Sequence, residues 1–313
     1  MSGDASSVMT VDGPLPVDRL GVILPHEHLL VDGWDHLAVN YRNSLLMELA
    51  KFTAAGGSTI VDLCGLGYSR DPAFVRDVAH AAGITVVLGT GYRGDGWPPA
   101  DADAVSAEAM ARLFVRDITE GFGVGIRAGV IGPIAVGRIP APTDLIALEA
   151  AGRAQQATGC AIVVSVDLGA EAAVFARVLD TLGEGGASLQ SVAIGGLVAR
   201  PDTVPIARIV AERGSYLLFD RFGQGHRPLM ADMTATPDEV QTASLKGFLD
   251  LGFGPRMLVS HGVDHVTLFT ANGGGGYAHL LKVVLPRALD YHVTEEQVRM
   301  LTVDNPRRLL AGA

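Results

Sequence analysis

Short runs of Val, Ile and Leu alternate along this chain with longer segments in which apolar residues recur every three or four positions. The short runs are rich in Val, Ile and Leu with no strict alternation of polar residues, which is typical of parallel strands covered on both faces. They fall at residues 21–26, 58–63, 84–89, 125–131, 161–166, 191–195, 216–220 and 257–260. The amphipathic segments fall at residues 43–55, 71–82, 106–121, 143–158, 170–182, 203–213 and 237–251. Eight strands separated by helices predict a parallel (β/α)8 TIM barrel.

Two more helical segments follow the eighth strand. One covers residues 277–290, and a terminal helix begins at Thr294, where Gln297 completes a capping box. The sequence has no internal repeat and no linker-like stretch. We therefore predict a single domain over residues 1–313.

Composition narrows the classes of partner. The chain has 313 residues and a net charge of -10, which argues against nucleic acid or an anionic membrane as the main partner. Its apolar runs are strand-sized and its N-terminus lacks the pattern of a signal peptide, so we expect a cytoplasmic protein. The two cysteines, Cys64 and Cys160, are far apart and predict no disulfide framework. We expect a small-molecule substrate, and a homodimer is compatible with these features.

The segment GVILPHEHLLVD carries two histidines, His26 and His28, at the spacing of a strand. Side chains at positions i and i+2 of a strand share a face, so both imidazoles are predicted to enter the mouth of the barrel. Glu27 between them is predicted to point to the opposite face of the strand and to be structural. Two imidazoles are only part of a catalytic metal site, which normally has three protein ligands.

Seven segments together resemble the phosphotriesterase-like branch of the amidohydrolase superfamily. They are VMTVDGPLPVDRLGVILPHEHLLVD, GGSTIVDLCGLGYSRD, GIRAGVIG, FDRFG, MLVSH, GYAHLL and VDNPRRLL, and FDRFG looks most like the lactonase-like members. The resemblance implies a TIM barrel with two bridged divalent metals at the carboxyl ends of the strands. It also implies six ligands: the His-x-His pair, a carboxylated lysine on strand four, histidines ending strands five and six, and an aspartate ending strand eight.

Four of these ligand positions are replaced. Gly132 stands at the lysine position, Ser165 and Gly196 at the two histidine positions, and Gly262 at the aspartate position. The chain has three lysines, at positions 51, 246 and 282, and none lies near strand four. We therefore expect no metal and no other cofactor in the barrel mouth.

The polar residues that remain at the strand ends supply the predicted catalytic set. Either His26 or His28 is expected to transfer protons, since imidazole titrates near neutral pH. Asp220 or Asp264 is expected to assist it, and Arg221 to orient a carboxylate or polarise a carbonyl. A buried Asp220–Arg221 ion pair and an inherited, purely structural histidine pair are the alternatives.

Other residues near the strand ends are predicted to bind the substrate. Gly132 and Gly196 are expected to leave open space that the substrate fills, because close approach of a ligand often requires glycine. His261 has the opposite strand parity to Gly262, so its side chain is predicted to lie behind the site. Cys64, near Asp62 at the end of the second strand, is interpreted as a small buried apolar residue. The remaining predicted contacts are Trp34, Tyr92, Arg93, Trp97, Ser165, Asp167 and His265.

The favoured function is metal-independent acid–base catalysis on a small molecule, by elimination, isomerisation, cyclisation or hydrolysis of an ester or lactone. A role in specialised biosynthesis is a hypothesis that rests only on the divergence of this chain from the ligand set of the family. One alternative is a non-catalytic protein that binds a small molecule. Another is a mononuclear metal-dependent hydrolase or lactonase that uses His26, His28 and Asp264.

Overall fold

Eight parallel strands form a nearly closed barrel in the computed structural model, which describes residues 6–31, 40–65, 70–94, 106–224 and 236–312. An N-terminal hairpin, β1 (Ser7–Thr10) and β2 (Gly13–Pro16), precedes the barrel. The barrel strands follow one another in chain order around the sheet, as expected of successive strand–helix units. They are β3 (Val22–Glu27), β4 (Gly57–Asp62), β5 (Thr85–Tyr92), β6 (Val130–Val136), β7 (Ile162–Val166), β8 (Val192–Leu197), β9 (Tyr216–Phe219) and β10 (Met257–Val259).

The helices lie between the strands near their predicted positions. They are α1 (Tyr41–Ala54), α2 (Pro72–Ala82), α3 (Ala107–Thr119), α4 (Pro142–Thr158), α5 (Ala172–Glu184), α6 (Val204–Glu212), α7 (Asp238–Asp250), α8 (Leu285–Asp290), α9 (Glu295–Arg299) and α10 (Asn305–Leu310). The capping box at Thr294 and Gln297 is formed as predicted. No helix in the described ranges is long and apolar enough to cross a membrane.

The predicted fourth barrel strand, at residues 125–131, is placed too early. The strand runs over Val130–Val136, and its pairing with β7 shifts register between Ile131 and Ile134. Gly132 and Pro133 occupy this irregularity, which is where a sheet tolerates proline. The predicted strand ended at Ile131 and therefore left out the residues after this irregularity.

Glu27 closes the barrel between β3 and β10. Its carboxylate accepts hydrogen bonds from the backbone N–H groups of His261 (2.9 Å) and Val263 (2.8 Å), and it lies 2.8 Å from the Ser260 hydroxyl. His261 Nδ1 lies 3.0 Å from the same carboxylate, while His261 Nε2 accepts from the backbone N–H of Leu280. Burial alone would raise the pKa of Glu27, but its electrostatic interaction and hydrogen bonds with His261, and the hydrogen bond from Val263, lower it below its usual value. Glu27 and His261 are therefore structural, as their parity predicted.

Candidate active site

A cavity of about 540 Å³ opens at the carboxyl ends of the barrel strands. This is the end at which TIM barrels place their active sites. Several side chains predicted to act on the substrate line it together: His26, His28, Arg93, Ser165, Asp167, Arg221 and Asp264.

A short polar contact joins His26, which lines the cavity, to Asp220. The Nδ1 atom of His26 lies 2.6 Å from Oδ2 of Asp220, and both side chains are almost fully buried. The other carboxylate oxygen accepts from the backbone N–H of Gly196 at 2.9 Å and lies 3.7 Å from Arg221 Nε. Burial alone would raise the pKa of Asp220, but His26, Arg221 and the Gly196 amide lower it. Asp220 is thus an ionised partner that fixes the His26 ring and leaves Nε2 for a substrate.

His28 has different surroundings from His26, although their ring centroids are only 5.4 Å apart. Its Nδ1 lies 3.8 Å from the sulfur of Cys64 on the β4 side. Burial lowers the pKa of His28 well below its usual value, and electrostatic interactions with the neighbouring His26, Arg93 and Arg221 lower it further. His28 is therefore neutral at neutral pH, and Arg93 and Arg221 bring positive charge to its side of the cavity.

The described residues bring one group of potential metal-binding side chains together, and it differs from the set predicted for a mononuclear site. Ligand atoms of His28, Asp62 and Cys64 all lie within 4.8 Å of one another, and all three side chains are buried. His26 and Asp264 do not belong to this group. Asp62 also accepts a hydrogen bond from the backbone N–H of Leu29 (3.3 Å). Burial raises the pKa of Asp62 to about 6, despite a hydrogen bond with Cys64 that lowers it.

The raised pKa of Asp62 predicts a pH-dependent stability. The folded state holds this proton more tightly than the unfolded state, so stability falls as the pH rises between about 4 and about 6, by about 3 kcal/mol. Asp62→Asn keeps the acceptor for Leu29 and removes this titration. Denaturant unfolding of both proteins at the two ends of the window measures the change, and parallel pH profiles would contradict the assignment.

The two arginines at the cavity are held by different parts of the barrel. Arg93 follows β5, and Arg221 follows β9 with its side chain 16% exposed. Arg221 Nη1 lies 3.5 Å from Oε1 of Gln224, a side chain that also binds the carbonyls of His261 and Gly262. Asp167, in contrast, pairs at 3.6 Å with Arg138 on a largely solvated edge. Arg93 and Arg221 are thus the cationic groups closest to the histidine pair.

The expectation that Gly132 and Gly196 leave open space is wrong. A β-carbon built on Gly196 would lie 1.7 Å from the carbonyl oxygen of Val166, and one on Gly132 would lie 2.7 Å from that of Val163. Gly196 also has φ of +77°, in the left-handed region that favours glycine. Neither residue is among the described residues that line the cavity. These glycines allow neighbouring strands to approach closely.

Two other predicted contacts have structural positions. Tyr92 is 1% exposed and belongs to the hydrophobic core rather than to the described cavity wall. His265 caps a short helical turn, where its Nδ1 accepts from the backbone N–H of Thr267 at 3.2 Å. Trp34 and Trp97 lie outside the described residues.

Comparison with known proteins assigns the chain to a family. A sequence profile of the Phosphotriesterase family matches residues 6–310. The chain belongs to the phosphotriesterase family. It is 26% identical to the N-acetyltaurine hydrolase of Tetraodon nigroviridis over 348 residues, which covers 99% of each protein.

Solved structures agree with this family. A resiniferatoxin-binding protein from Rhodobacter sphaeroides is 30% identical and superposes with a TM-score of 0.88 over 97% of this chain and 95% of that one. A mutant of the organophosphorus hydrolase from Deinococcus radiodurans is 27% identical, with a TM-score of 0.82 over 98% of each chain. The hydrolases among these relatives support an enzyme of hydrolase type.

The binuclear metal centre implied by the phosphotriesterase resemblance does not fit this chain. Three of the four replaced ligand positions are glycines without a donor, and the fourth is Ser165. At Gly196 the strand contact with Val166 leaves no room for the side chain of a histidine. The fourth barrel strand carries no lysine that could form a carbamate bridge.

One wall of the site in this phosphotriesterase-family chain was missed by sequence reasoning. It consists of the end of β6 and the segment leading to α4, and its apolar members are Pro133, Ala135, Val136, Ile139 and Ala141. Because β6 was predicted to end at residue 131, these residues lay outside the predicted strand end. The apolar triplet that follows Pro133, Ile134–Val136, was the available signal for a longer strand.

Proposed function

We propose that this protein is a hydrolase of a small ester or lactone that uses the His26–Asp220 pair in place of a metal centre. The observation that carries the proposal is the 2.6 Å contact between His26 Nδ1 and the buried carboxylate of Asp220. A carboxylate on Nδ1 orients the imidazole, fixes its tautomer and stabilises the imidazolium formed when Nε2 accepts a proton.

The proposed reaction needs one proton acceptor and one electrophilic contact. His26 Nε2 takes a proton from water as the water oxygen bonds to the acyl carbon. The carbon–oxygen bond to the leaving group then breaks, and His26 returns the proton to the departing alkoxide. Arg221 donates hydrogen bonds to the carbonyl oxygen, on which negative charge develops. Elimination, isomerisation or cyclisation would use the same proton transfer, but the named relatives favour hydrolysis.

The two arginines that line the cavity support a substrate with an anionic or strongly polarised group. Arg93 and Arg221 reach the cavity from separate strand ends, and both lower the pKa of His28. Arginine is well suited to a planar carboxylate because it donates two parallel hydrogen bonds. Neutral His28 is then a hydrogen-bonding neighbour of the reacting group rather than its proton source.

Two observations favour other functions. The similarity to a protein named for binding resiniferatoxin favours a non-catalytic binder. The grouping of His28, Asp62 and Cys64 favours a mononuclear metal hydrolase, although with ligands other than those predicted from sequence. The experiment described next distinguishes both alternatives from the proposed function.

The experiment is turnover of an ester and lactone panel by chelator-treated enzyme, with and without added zinc or manganese. We expect chelation to leave turnover of the preferred ester or lactone unchanged within about twofold, since a metal hydroxide is not needed when an imidazole activates water. Loss of activity on chelation with recovery on adding metal would establish the metal hydrolase. Tight binding across the panel without turnover would establish the binder.

A further inference from the structure

The cavity has two chemically different ends. One end is polar and carries the histidine pair with Arg93, Arg221 and Asp264, whereas the wall from β6 to α4 is largely apolar. Its volume of about 540 Å³ is large enough for more than the reacting group of a small ester. The two ends therefore contact different parts of one ligand.

Ile139 is the clearest feature of the apolar wall. It is 88% exposed, the most exposed large apolar side chain of the described residues, and the next is Met47 at 61%. Single exposed apolar residues are common on protein surfaces, but this one lines the cavity of the candidate active site.

The segment that carries Ile139 is held in place. The Asp144 carboxylate accepts hydrogen bonds from the backbone N–H of Gly137 (3.1 Å) and of Ala141 (3.0 Å), on either side of Ile139. Asp144 is itself 7% exposed and lies in the first turn of α4. Ile139 is thus presented beside the cavity by a braced loop, which reduces the entropic cost of binding a ligand against it.

We infer that the substrate is an anionic amphiphile, with its charged or polarised group at Arg93 and Arg221 and an apolar tail against Ile139 and the β6–α4 wall. This inference rests on the proposed function, because the tail extends from the group that reacts at His26. Ile139 is then a specificity-determining residue that selects the length of the tail. The apolar wall favours long anions over short ones, and the arginines disfavour cationic amphiphiles.

Calorimetric titration with octanoate, acetate and 1-octylamine tests the inference without requiring turnover. Each methylene buried against the wall should raise affinity about threefold to fourfold, so octanoate should bind at least about 100-fold more tightly than acetate. 1-Octylamine, which has the same tail and the opposite charge, should not bind measurably. Arg221→Gln should weaken the binding of octanoate and of acetate by similar factors.

The discriminating variant is Ile139→Ser. It should weaken octanoate binding about fivefold to tenfold and leave acetate unchanged, because only the tail loses its contact. Leu251→Ser is the matched control: Leu251 is 54% exposed, lies at the end of α7 away from the cavity, and should change neither affinity. Both side chains are exposed, so neither variant should disturb the fold.

Three results would overturn the inference: octanoate binding no more tightly than acetate, 1-octylamine binding as well as octanoate, or Ile139→Ser behaving like Leu251→Ser. None of these results would test proton transfer by His26. If the protein showed no hydrolytic turnover but still bound octanoate through Ile139, the proposed reaction would be wrong and the inferred ligand class would stand.

Discussion

His26→Asn is expected to lower kcat by about 100-fold to 10,000-fold, the usual contribution of a positioned acid–base group. The asparagine amide can donate to Asp220 where Nδ1 does, but it cannot accept and return a proton. Stability should therefore stay near that of the wild-type protein. Alanine is a poorer test, because it would leave the buried carboxylate of Asp220 without its 2.6 Å partner.

The matched control for this prediction is a second histidine–aspartate pair. His279 Nε2 contacts the Asp238 carboxylate at 2.5 Å, and neither residue lines the described cavity. His279→Asn should leave kcat unchanged. Asp220→Asn should reduce kcat, and the double variant His26→Asn with Asp220→Asn should be little worse than His26→Asn alone, because the two residues act as a unit. Near-normal kcat in His26→Asn would move the proton transfer to His28.

Gly196→Ala is expected to destabilise the folded protein by at least about 3 kcal/mol. The added β-carbon must displace the Val166 carbonyl from a position 1.7 Å away, and alanine is strained at φ of +77°. The same residue donates its backbone N–H to Asp220, so a shift of β8 would also disturb His26.

Gly183→Ala serves as the control for this substitution. Gly183 lies in α5, and a β-carbon there meets nothing within 4 Å. Replacing a helical glycine with alanine should increase stability by up to about 1 kcal/mol. Denaturant unfolding of the two variants measures the difference, and equal stabilities would show that β8 adapts to the extra carbon.

The sequence was sufficient to predict the number and order of the eight strands, the approximate bounds of seven of them and the direction of the first-strand histidines, because these depend on local patterns. Apolar runs mark buried strands, and the spacing of His26 and His28 aligns them towards one cavity. The replacement of family ligands was also visible, since Gly132, Gly196 and Gly262 remove donors regardless of geometry.

The remaining features depend on packing between distant segments. His26 and Asp220 are 194 positions apart, so sequence could place both at the barrel mouth without choosing Asp220 over Asp264 as the partner. The irregularity at Gly132 and Pro133 hid the length of β6 and, with it, the apolar wall. Gly196 was interpreted as open space because sequence reveals a missing side chain but not the neighbouring carbonyl that occupies the position.

The arrangement around Glu27 limits how this active site could be transplanted. The triplet from His26 to His28 supplies cavity groups and, at its middle position, the acceptor that joins β3 to β10. A designer who grafts the two histidines onto another barrel must carry over the backbone donors of His261 and Val263 as well. Without them, the graft would bring in a buried carboxylate with no partners, so the smallest portable unit is a pair of strand ends rather than a three-residue motif.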